Sequence, residues 1–231
     1  MDRRATHSRE WRLSVDEPRT AAAHMACDAR LAAEAIGTAR FFQWNPPAVS
    51  LGFKQPRPTW IETIDHGPWT IDIVERPTGG GIAFHGSDVS ISVVWPREGA
   101  EHLHDIMQMI TDSAVECCRQ FGVVADAVLE QPAQEPITYC LAQPSSYAVM
   151  VDHRKIAGFA IRRYPASWLI QGSLLVRALP PIVSALLPDD VQTVLAHRAT
   201  ALSDLDDQVS VGMVMEAWPR QYQRTTGKGL E

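Results

Sequence analysis

The stretch "ERPTGGGIAFHGSDVSISVVWP", Glu75–Pro96, joins three consecutive glycines to a run in which apolar and small polar residues alternate. A period of two is typical of a β-strand, so we expect a strand to follow the glycines. Three glycines in a row cost backbone entropy, which a left-handed turn or a ligand lying against bare backbone offsets. The spacing matches neither the Walker phosphate loop nor the G-x-G-x-x-G fingerprint. By itself, the loop favours a strand bulge or a tight turn.

Strands and helices are mixed irregularly on both sides of this stretch. The spacing of apolar residues predicts an amphipathic helix over 101–122 and an alanine-rich helix over 20–35, which Thr20 caps. A hairpin is expected around Asp152 and His153, and a last helix is expected to end near Pro219. Further strands are predicted at 39–45, 47–53, 70–77 and 167–176. This order predicts an α+β fold with a mixed, largely antiparallel sheet flanked by helices.

Composition limits the class of protein. The 231 residues are 45% hydrophobic, which is enough to bury the core of one large domain or two small ones. A net charge of −6 argues against a general nucleic-acid or membrane-surface binder. The four cysteines do not have the spacing of a zinc site. With no apolar N-terminal run and no bilayer-length segment, we expect a soluble cytoplasmic protein with free thiols and no metal site.

Three side chains are candidates for chemistry, and each has a structural alternative. Cys140 precedes a proline and two serines, and a thiol near Lys155 is a potential nucleophile, although a lone cysteine is more often a small buried apolar residue. Lys155 alone is typical of a solvated surface charge. His85, on an apolar strand, either relays a proton or serves as a buried structural histidine.

The order of several motifs is more specific than any one of them. The segments "PAVSLGFKQP", "RPTGGGIAFHGSDVSISV", "RKIAGFAIRR" and "LIQGSLLV" together resemble the lipoate–protein ligase and octanoyltransferase family. The resemblance covers most of the chain. It implies the fold shared by biotin and lipoate protein ligases and class II aminoacyl-tRNA synthetases.

The same resemblance implies which residues form the site. The family's glycine segment lines a tunnel for a medium-chain acyl group. By similarity we expect the acyl group to contact Arg76, Thr78, Gly79, Gly80, Gly81, His85, Gly158 and Phe159. The family's G-x-A-Q segment reads Gly158-Phe159-Ala160-Ile161 here, so the usual glutamine is missing, and Phe159 and Ile161 are expected to narrow or reshape the tunnel. Lys155 matches the family's lysine that contacts the acyl-adenylate in ligases and polarises the acyl carbonyl in transferases.

One loop separates the family's activities. The segment "CLAQPSSY" resembles the C-x-x-x-P-S-x-Y motif of the cysteine-dependent octanoyltransferases, with Cys140 as the nucleophile. The resemblance implies octanoyl transfer from acyl carrier protein to a lysine of a lipoyl domain, with no cofactor. Such acceptors are the E2 subunits of 2-oxoacid dehydrogenases or the glycine cleavage H protein. The alternatives are a lipoate–protein ligase that uses ATP and Mg, and a non-catalytic protein that binds an acyl group or a lipoyl domain.

The domain organisation is expected to be simple. Residues 1–10 are polar and are predicted to be a loose N-terminal segment. Residues 11–231 are predicted to form a single catalytic domain. Only about 55 residues follow "SLLV", too few for the C-terminal accessory domain that many ligases of the family carry together with the closing helices. No nucleic-acid or membrane partner is expected.

Overall fold

The computed structural model describes residues 11–64, 71–98, 101–130, 138–143 and 145–229. Its strands, in chain order, are β1 (Arg12–Val15), β2 (Thr38–Phe42), β3 (Ala48–Leu51), β4 (Asp72–Glu75), β5 (Ala83–His85), β6 (Asp88–Pro96), β7 (Asp126–Val128), β8 (Ala148–Val151), β9 (Arg154–Arg163) and β10 (Ser167–Leu175). Its helices are α1 (Ala21–Glu34), α2 (Thr59–Ile64), α3 (Leu103–Gln120), α4 (Pro181–Ser184), α5 (Asp189–Arg198) and α6 (Val211–Thr226), with a 3₁₀ turn at Leu202–Asp204.

Two sheets organise these elements within the described ranges. The larger has seven strands in the order β1-β2-β6-β10-β9-β8-β7, and the smaller has three in the order β4-β3-β5. Antiparallel pairs dominate, with parallel pairing between β1 and β2 and between β3 and β4. The predicted α+β fold with a mixed, largely antiparallel sheet is confirmed.

One face of the large sheet carries the main hydrophobic core. Helices α3 and α6 pack against each other and cover this face. Alternate residues of β6 and β10, such as Ile91, Val93 and Ile170, point into it and are fully buried. The amphipathic pattern predicted for 101–122 agrees with α3, whose buried residues include Ile106, Ile110 and Ala114.

The opposite face of the large sheet is polar at its centre. There Arg40 of β2 forms ion pairs with Asp16, at 2.6 Å, and with Asp28 of α1. Asp28 also accepts a hydrogen bond from Gln171 of β10, at 2.7 Å, and the Thr78 hydroxyl donates to Gln171, also at 2.7 Å. This chain of contacts ties α1 and the sheet to the glycine segment, because Thr78 immediately precedes Gly79.

The last helix continues past the residue at which we expected it to end. Helix α6 runs to Thr226 with Pro219 inside it, so the prediction of an end near Pro219 was wrong. A proline within a helix removes one hydrogen bond and costs about 3 kcal/mol. The helix buries Trp218 and Tyr222 completely against the sheet, on either side of Pro219. Burial of these two large side chains offsets the loss.

The structure tests the predicted hairpin but not the predicted N-terminal segment. The hairpin expected at Asp152 and His153 is present, with both residues at positive φ between β8 and β9. The segment expected to be loose, 1–10, lies outside the described residues. None of the helices in the described part of the chain combines the length and apolarity needed to cross a bilayer.

The buried imidazole of His24 predicts an acid-sensitive fold. Its Nδ1 accepts from Arg40 at 3.2 Å, and its Nε2 donates to the Gln43 carbonyl at 3.0 Å. Burial lowers the pKa of His24 from 6.5 to about 4. The unfolded chain therefore takes up this proton first, so the stability that neutral His24 contributes is present above pH 6.5 and is lost as the pH falls towards about 4.

We expect the His24→Gln variant, which keeps an acceptor and a donor but does not titrate, to lose less stability over that range. The difference in slope should be at most about 1.4 kcal/mol per pH unit. Urea unfolding of both proteins across the range measures it. Asp16, Asp28 and Arg40 are present in both proteins, so they do not account for a difference between them. Identical slopes of unfolding free energy against pH would contradict the role assigned to His24.

Candidate active site

The glycine segment lies between β4 and β5, and its neighbours are the protein's own backbone. Gly80 has φ +89°, a conformation that favours glycine. A side-chain carbon at Gly52 would lie 1.9 Å from the Gly80 carbonyl oxygen. A carbon at Gly81 would lie 2.7 Å from the Thr138 carbonyl oxygen and 2.9 Å from the Cys140 nitrogen. Glycine at 81 therefore lets the loop that carries Cys140 pack directly against this segment.

Arg76 holds the glycine segment from inside. Its guanidinium donates to the carbonyls of Gly79 and Gly81, at 2.8 and 2.7 Å, and to the carbonyl and hydroxyl of Ser50, at 3.1 and 3.2 Å. The side chain is buried and has no carboxylate partner among the described residues. Burial lowers the pKa of Arg76 from its ordinary value, and the nearby Cys140 side chain opposes this shift.

The Cys140 loop adds to the edge of the small sheet. The Ile82 nitrogen donates to the Thr138 carbonyl at 2.7 Å, and the Cys140 nitrogen donates to the Ile82 carbonyl at 2.8 Å. Cys140 is a free, half-buried thiol. Its Sγ faces Gly158 of β9, where a side-chain carbon would lie 3.9 Å away. The thiol therefore lies between the small sheet and β9.

Lys155 binds the same loop from the other side. Its ammonium donates to the carbonyls of Cys140 and Gln143, at 2.8 and 2.6 Å, and to the Ser145 hydroxyl, at 2.8 Å. Only 2% of the residue is exposed, so it is not the solvated surface charge that is usual for lysine. Burial lowers the pKa of Lys155 from its ordinary value, and the Cys140 side chain opposes this shift.

His85 belongs to a hydrogen-bonded chain that the sequence did not reveal. Its Nε2 lies 2.8 Å from the Ser50 hydroxyl, its Nδ1 lies 2.9 Å from Asp88, and its ring stacks on Trp44 at 4.1 Å. Burial by itself raises the pKa of Asp88. The electrostatic attraction of His85, together with hydrogen bonds from His85, Ser173 and the Gly86 nitrogen, outweighs burial and holds this pKa below its ordinary value. An ionised Asp88 places a proton on Nδ1 of His85.

Several of these groups line one narrow cavity of about 40 Å³, but Lys155 and residues 78–81 do not. Cys140, Arg76, His85 and Gly158 line it, together with apolar side chains such as Met25 and Phe42. That volume holds about three water molecules. A longer apolar ligand requires side chains in the wall to move, and the three rotatable bonds of Met25 make it the most adaptable.

Phe159, which the resemblance placed at the acyl group, does not line this cavity. Its ring packs on the core face, 6.5 Å from the Trp218 ring centroid. A side-chain carbon at Gly172 would lie 2.2 Å from it. Because neighbouring residues of a strand point to opposite faces, Gly158 faces Cys140 and Phe159 faces helix α6.

Thr78, Gly79 and Gly80 complete the set of predicted residues. Thr78 is buried and bonded to Gln171, as described above. A side-chain carbon at Gly79 would meet nothing within 4 Å, and one at Gly80 would lie 3.0 Å from the Arg76 guanidinium. In the part of the chain that the structure describes, no group of three or more His, Cys, Asp or Glu side chains has the geometry to hold a metal ion.

Sequence reasoning missed Ser50 and Asp88. Asp88 follows His85 by three residues, and an acid at that spacing from a histidine is the signal that points to the pair. No comparable signal marks Ser50, since only the pairing of β3 with β5 brings it beside His85.

Known proteins resemble this chain over most of its length. Residues 20–223 match the family model of the lipoyl protein ligase A/B catalytic domain. The octanoyltransferase LipM of Kyrpidia tusciae is 28% identical, with 96% of this chain and 89% of that protein covered.

Solved structures share the fold. A lipoate-protein ligase A bound with ATP has a TM-score of 0.75 at 21% identity, covering 96% of this chain and 87% of that one. A bipartite lipoate protein ligase from Thermoplasma acidophilum, studied with its E2 lipoyl domain, has a TM-score of 0.69 at 20% identity, covering 96% and 86%.

The contrast between Gly81 and Gly79 gives a matched pair of variants. We expect Gly81→Ala to lower the free energy of unfolding by about 1–3 kcal/mol, because the new methyl group overlaps the backbone of the Cys140 loop. We expect Gly79→Ala to change it by at most about 0.5 kcal/mol, because no atom lies near. Urea unfolding measures both, and alkylation of Cys140, mapped by peptide mass spectrometry, reports displacement of the loop. Equal effects of the two substitutions would contradict the packing described.

Proposed function

The chain belongs to the lipoyl protein ligase A/B catalytic domain family, and within that family we propose that it transfers an octanoyl group from acyl carrier protein to a lysine of a lipoyl domain. In this proposal Cys140 carries the octanoyl group as a thioester, and no ATP is used. The names of the curated relatives, which are octanoyltransferases, support the transferred group.

The observation that carries the proposal is the surroundings of one thiol. Cys140 and Arg76 line an apolar cavity, and the ammonium of Lys155 lies 2.8 Å from the Cys140 carbonyl; neither cation has a carboxylate partner among the described residues. Two buried positive charges beside a half-buried thiol suit the oxyanion that develops when a thiol attacks an acyl carbonyl.

The first step forms the acyl-enzyme. The Cys140 thiolate attacks the carbonyl carbon of the octanoyl thioester, and negative charge develops on the carbonyl oxygen. The bond from that carbon to the donor sulfur then breaks, and the donor sulfur leaves with the proton that Cys140 released. The positive charges of Lys155 and Arg76 stabilise the charge that develops.

All three protons of the Lys155 ammonium have acceptors in the free protein. Lys155 can therefore donate to the acyl carbonyl only after one of these three acceptors has given up its hydrogen bond. The Ser145 hydroxyl is the suitable one to release, because it finds other partners by rotation whereas the two carbonyls are fixed in the loop.

The second step releases the product. The neutral ε-amine of the acceptor lysine attacks the thioester carbon, the bond from carbon to the Cys140 Sγ breaks, and the proton lost by the amine passes to the departing thiolate. An amide and a free Cys140 result. The Thermoplasma ligase studied with its E2 lipoyl domain supports a lipoyl domain as acceptor. Candidates are 2-oxoacid dehydrogenase E2 subunits and the glycine cleavage H protein.

The direct test is transfer from octanoyl-acyl carrier protein to a purified lipoyl domain without ATP, followed by mass spectrometry of the acceptor. We expect Cys140→Ala to lower the rate by roughly 10³-fold or more, because the covalent route is lost. Cys27→Ala, which removes another half-buried thiol, is the control and should keep the rate. Full activity of Cys140→Ala would contradict the proposal. Modification only with ATP and lipoate would assign the ligase activity instead, and no turnover by either route would indicate a binding protein.

Lys155 provides a second test. We expect Lys155→Met to slow octanoylation of Cys140 by about 10²–10³-fold, because the charge that stabilises the oxyanion is removed. Ser145→Ala removes one acceptor but keeps the charge, so its rate should stay within about tenfold of the original. Intact mass against time measures both rates, and thermal unfolding checks the fold. A Lys155→Met protein that acylates at the original rate would contradict the role of the charge.

A further inference from the structure

A second cavity, of about 380 Å³, lies next to the first. Helices α4 and α5 and the 3₁₀ turn at Leu202–Asp204 surround it. Its wall is mostly apolar, with Leu175, Leu187 and Leu195 among the lining residues. Its size and its apolar lining with a few polar groups are those of a small-molecule site. Nothing in the proposed steps at Cys140 uses it.

The position of this cavity connects it to the reacting thiol. Leu141, the residue after Cys140, lines both cavities. Two other residues that line the second cavity contact the backbone of Lys155. The Thr200 nitrogen donates to the Lys155 carbonyl at 3.0 Å, and Ala199 pairs with Lys155 in an isolated parallel β-bridge. The two cavities therefore share Leu141 as part of their walls, and the second cavity begins one residue beyond the thiol that the proposed function acylates.

Two arginines set the charge of the second cavity. Arg154, at the start of β9, is half-buried, and Arg177, just after β10, is exposed. Neither has a carboxylate within ion-pair distance in the described ranges. The acid that lines the same cavity, Asp204, is already engaged by the Thr200 hydroxyl at 3.1 Å and by the Ala201 nitrogen at 2.9 Å. Two free guanidinium groups beside an apolar wall fit a ligand with a long, weakly polar body and a phosphate.

We propose that the second cavity binds the phosphopantetheine arm of the thioester donor, with its phosphate on Arg154 and Arg177. This inference rests on the proposed function, which requires a donor whose thiol leaves from Cys140. The arm has the required chemistry: a flexible chain with two amides and a dimethyl group, ending in a phosphate. Acyl carrier protein and coenzyme A both carry it.

The test compares two donors that differ only in the phosphate, octanoyl-phosphopantetheine and octanoyl-pantetheine. For the natural sequence we expect kcat/KM for octanoylation of Cys140 to be about 10–100-fold higher with the phosphate. The double variant Arg154→Gln/Arg177→Gln should lose this preference while keeping its rate with octanoyl-pantetheine. Arg119→Gln, on helix α3 across the sheet, is the control and should keep the preference.

A substitution in the cavity wall tests the body of the arm. Ala196 lies on α5, is exposed and lines the cavity, so Ala196→Phe obstructs it without disturbing the core. We expect it to raise KM for octanoyl-pantetheine but not for the shorter octanoyl-N-acetylcysteamine. Val194→Phe, at an exposed residue of the same helix that does not line the cavity, is the matched control.

The outcomes separate this inference from the proposed function. If no thioester acylates Cys140 in the natural sequence, the proposed function fails. If all acylate it, but the arginine variant keeps the phosphate preference, the cavity does not hold the arm. Equal losses with octanoyl-coenzyme A and octanoyl-acyl carrier protein would support the shared arm. A loss with the carrier protein alone would place the two arginines on a protein-docking surface and overturn the inference.

Discussion

A buried ammonium group holds the Cys140 loop in place. Lys155 donates all three of its protons to oxygen atoms of residues 140–145, and its described contacts include no carboxylate. A buried charge is costly unless it is fully hydrogen-bonded, so the loop and the lysine stabilise each other. On the other side, the loop pairs with Ile82 and packs on Gly81. The position of the Cys140 thiol thus depends on the charge of Lys155 and on the absence of a side chain at Gly81.

Successive residues of the strands point to opposite faces of the large sheet, and this separates the polar groups near Cys140 from the hydrophobic core. The same strands that bury Ile91 and Ile170 beneath helices α3 and α6 present polar residues on their other face. There Arg40 and Asp28 form a buried ion pair that positions Gln171, which in turn holds Thr78 beside the glycines. A polar network of this kind is stable only when every member is satisfied. It also fixes the glycine segment relative to the sheet.

How much the sequence predicts depends on how local each feature is. Helix α3 and the hairpin at Asp152 and His153 have their own patterns, and both were predicted. Phe159 was expected at the acyl group from the family resemblance, whereas its ring lies on the core face; β9 is buried on both faces, so its periodicity does not tell Gly158 from Phe159. The extent of α6 depends on burial around Pro219, and the contact between Ser50 and His85 depends on sheet pairing. Neither is encoded in adjacent residues.

The central claim is that Cys140 carries the acyl group. The most direct measurement is the intact mass of the protein after incubation with octanoyl-acyl carrier protein without ATP, before and after treatment with hydroxylamine. The account predicts one octanoyl adduct that maps to Cys140 and that hydroxylamine removes, since thioesters are cleaved by it and amides are not. The absence of an adduct, together with formation of an acyl-adenylate once ATP and lipoate are added, would contradict the account and leave Cys140 a structural residue.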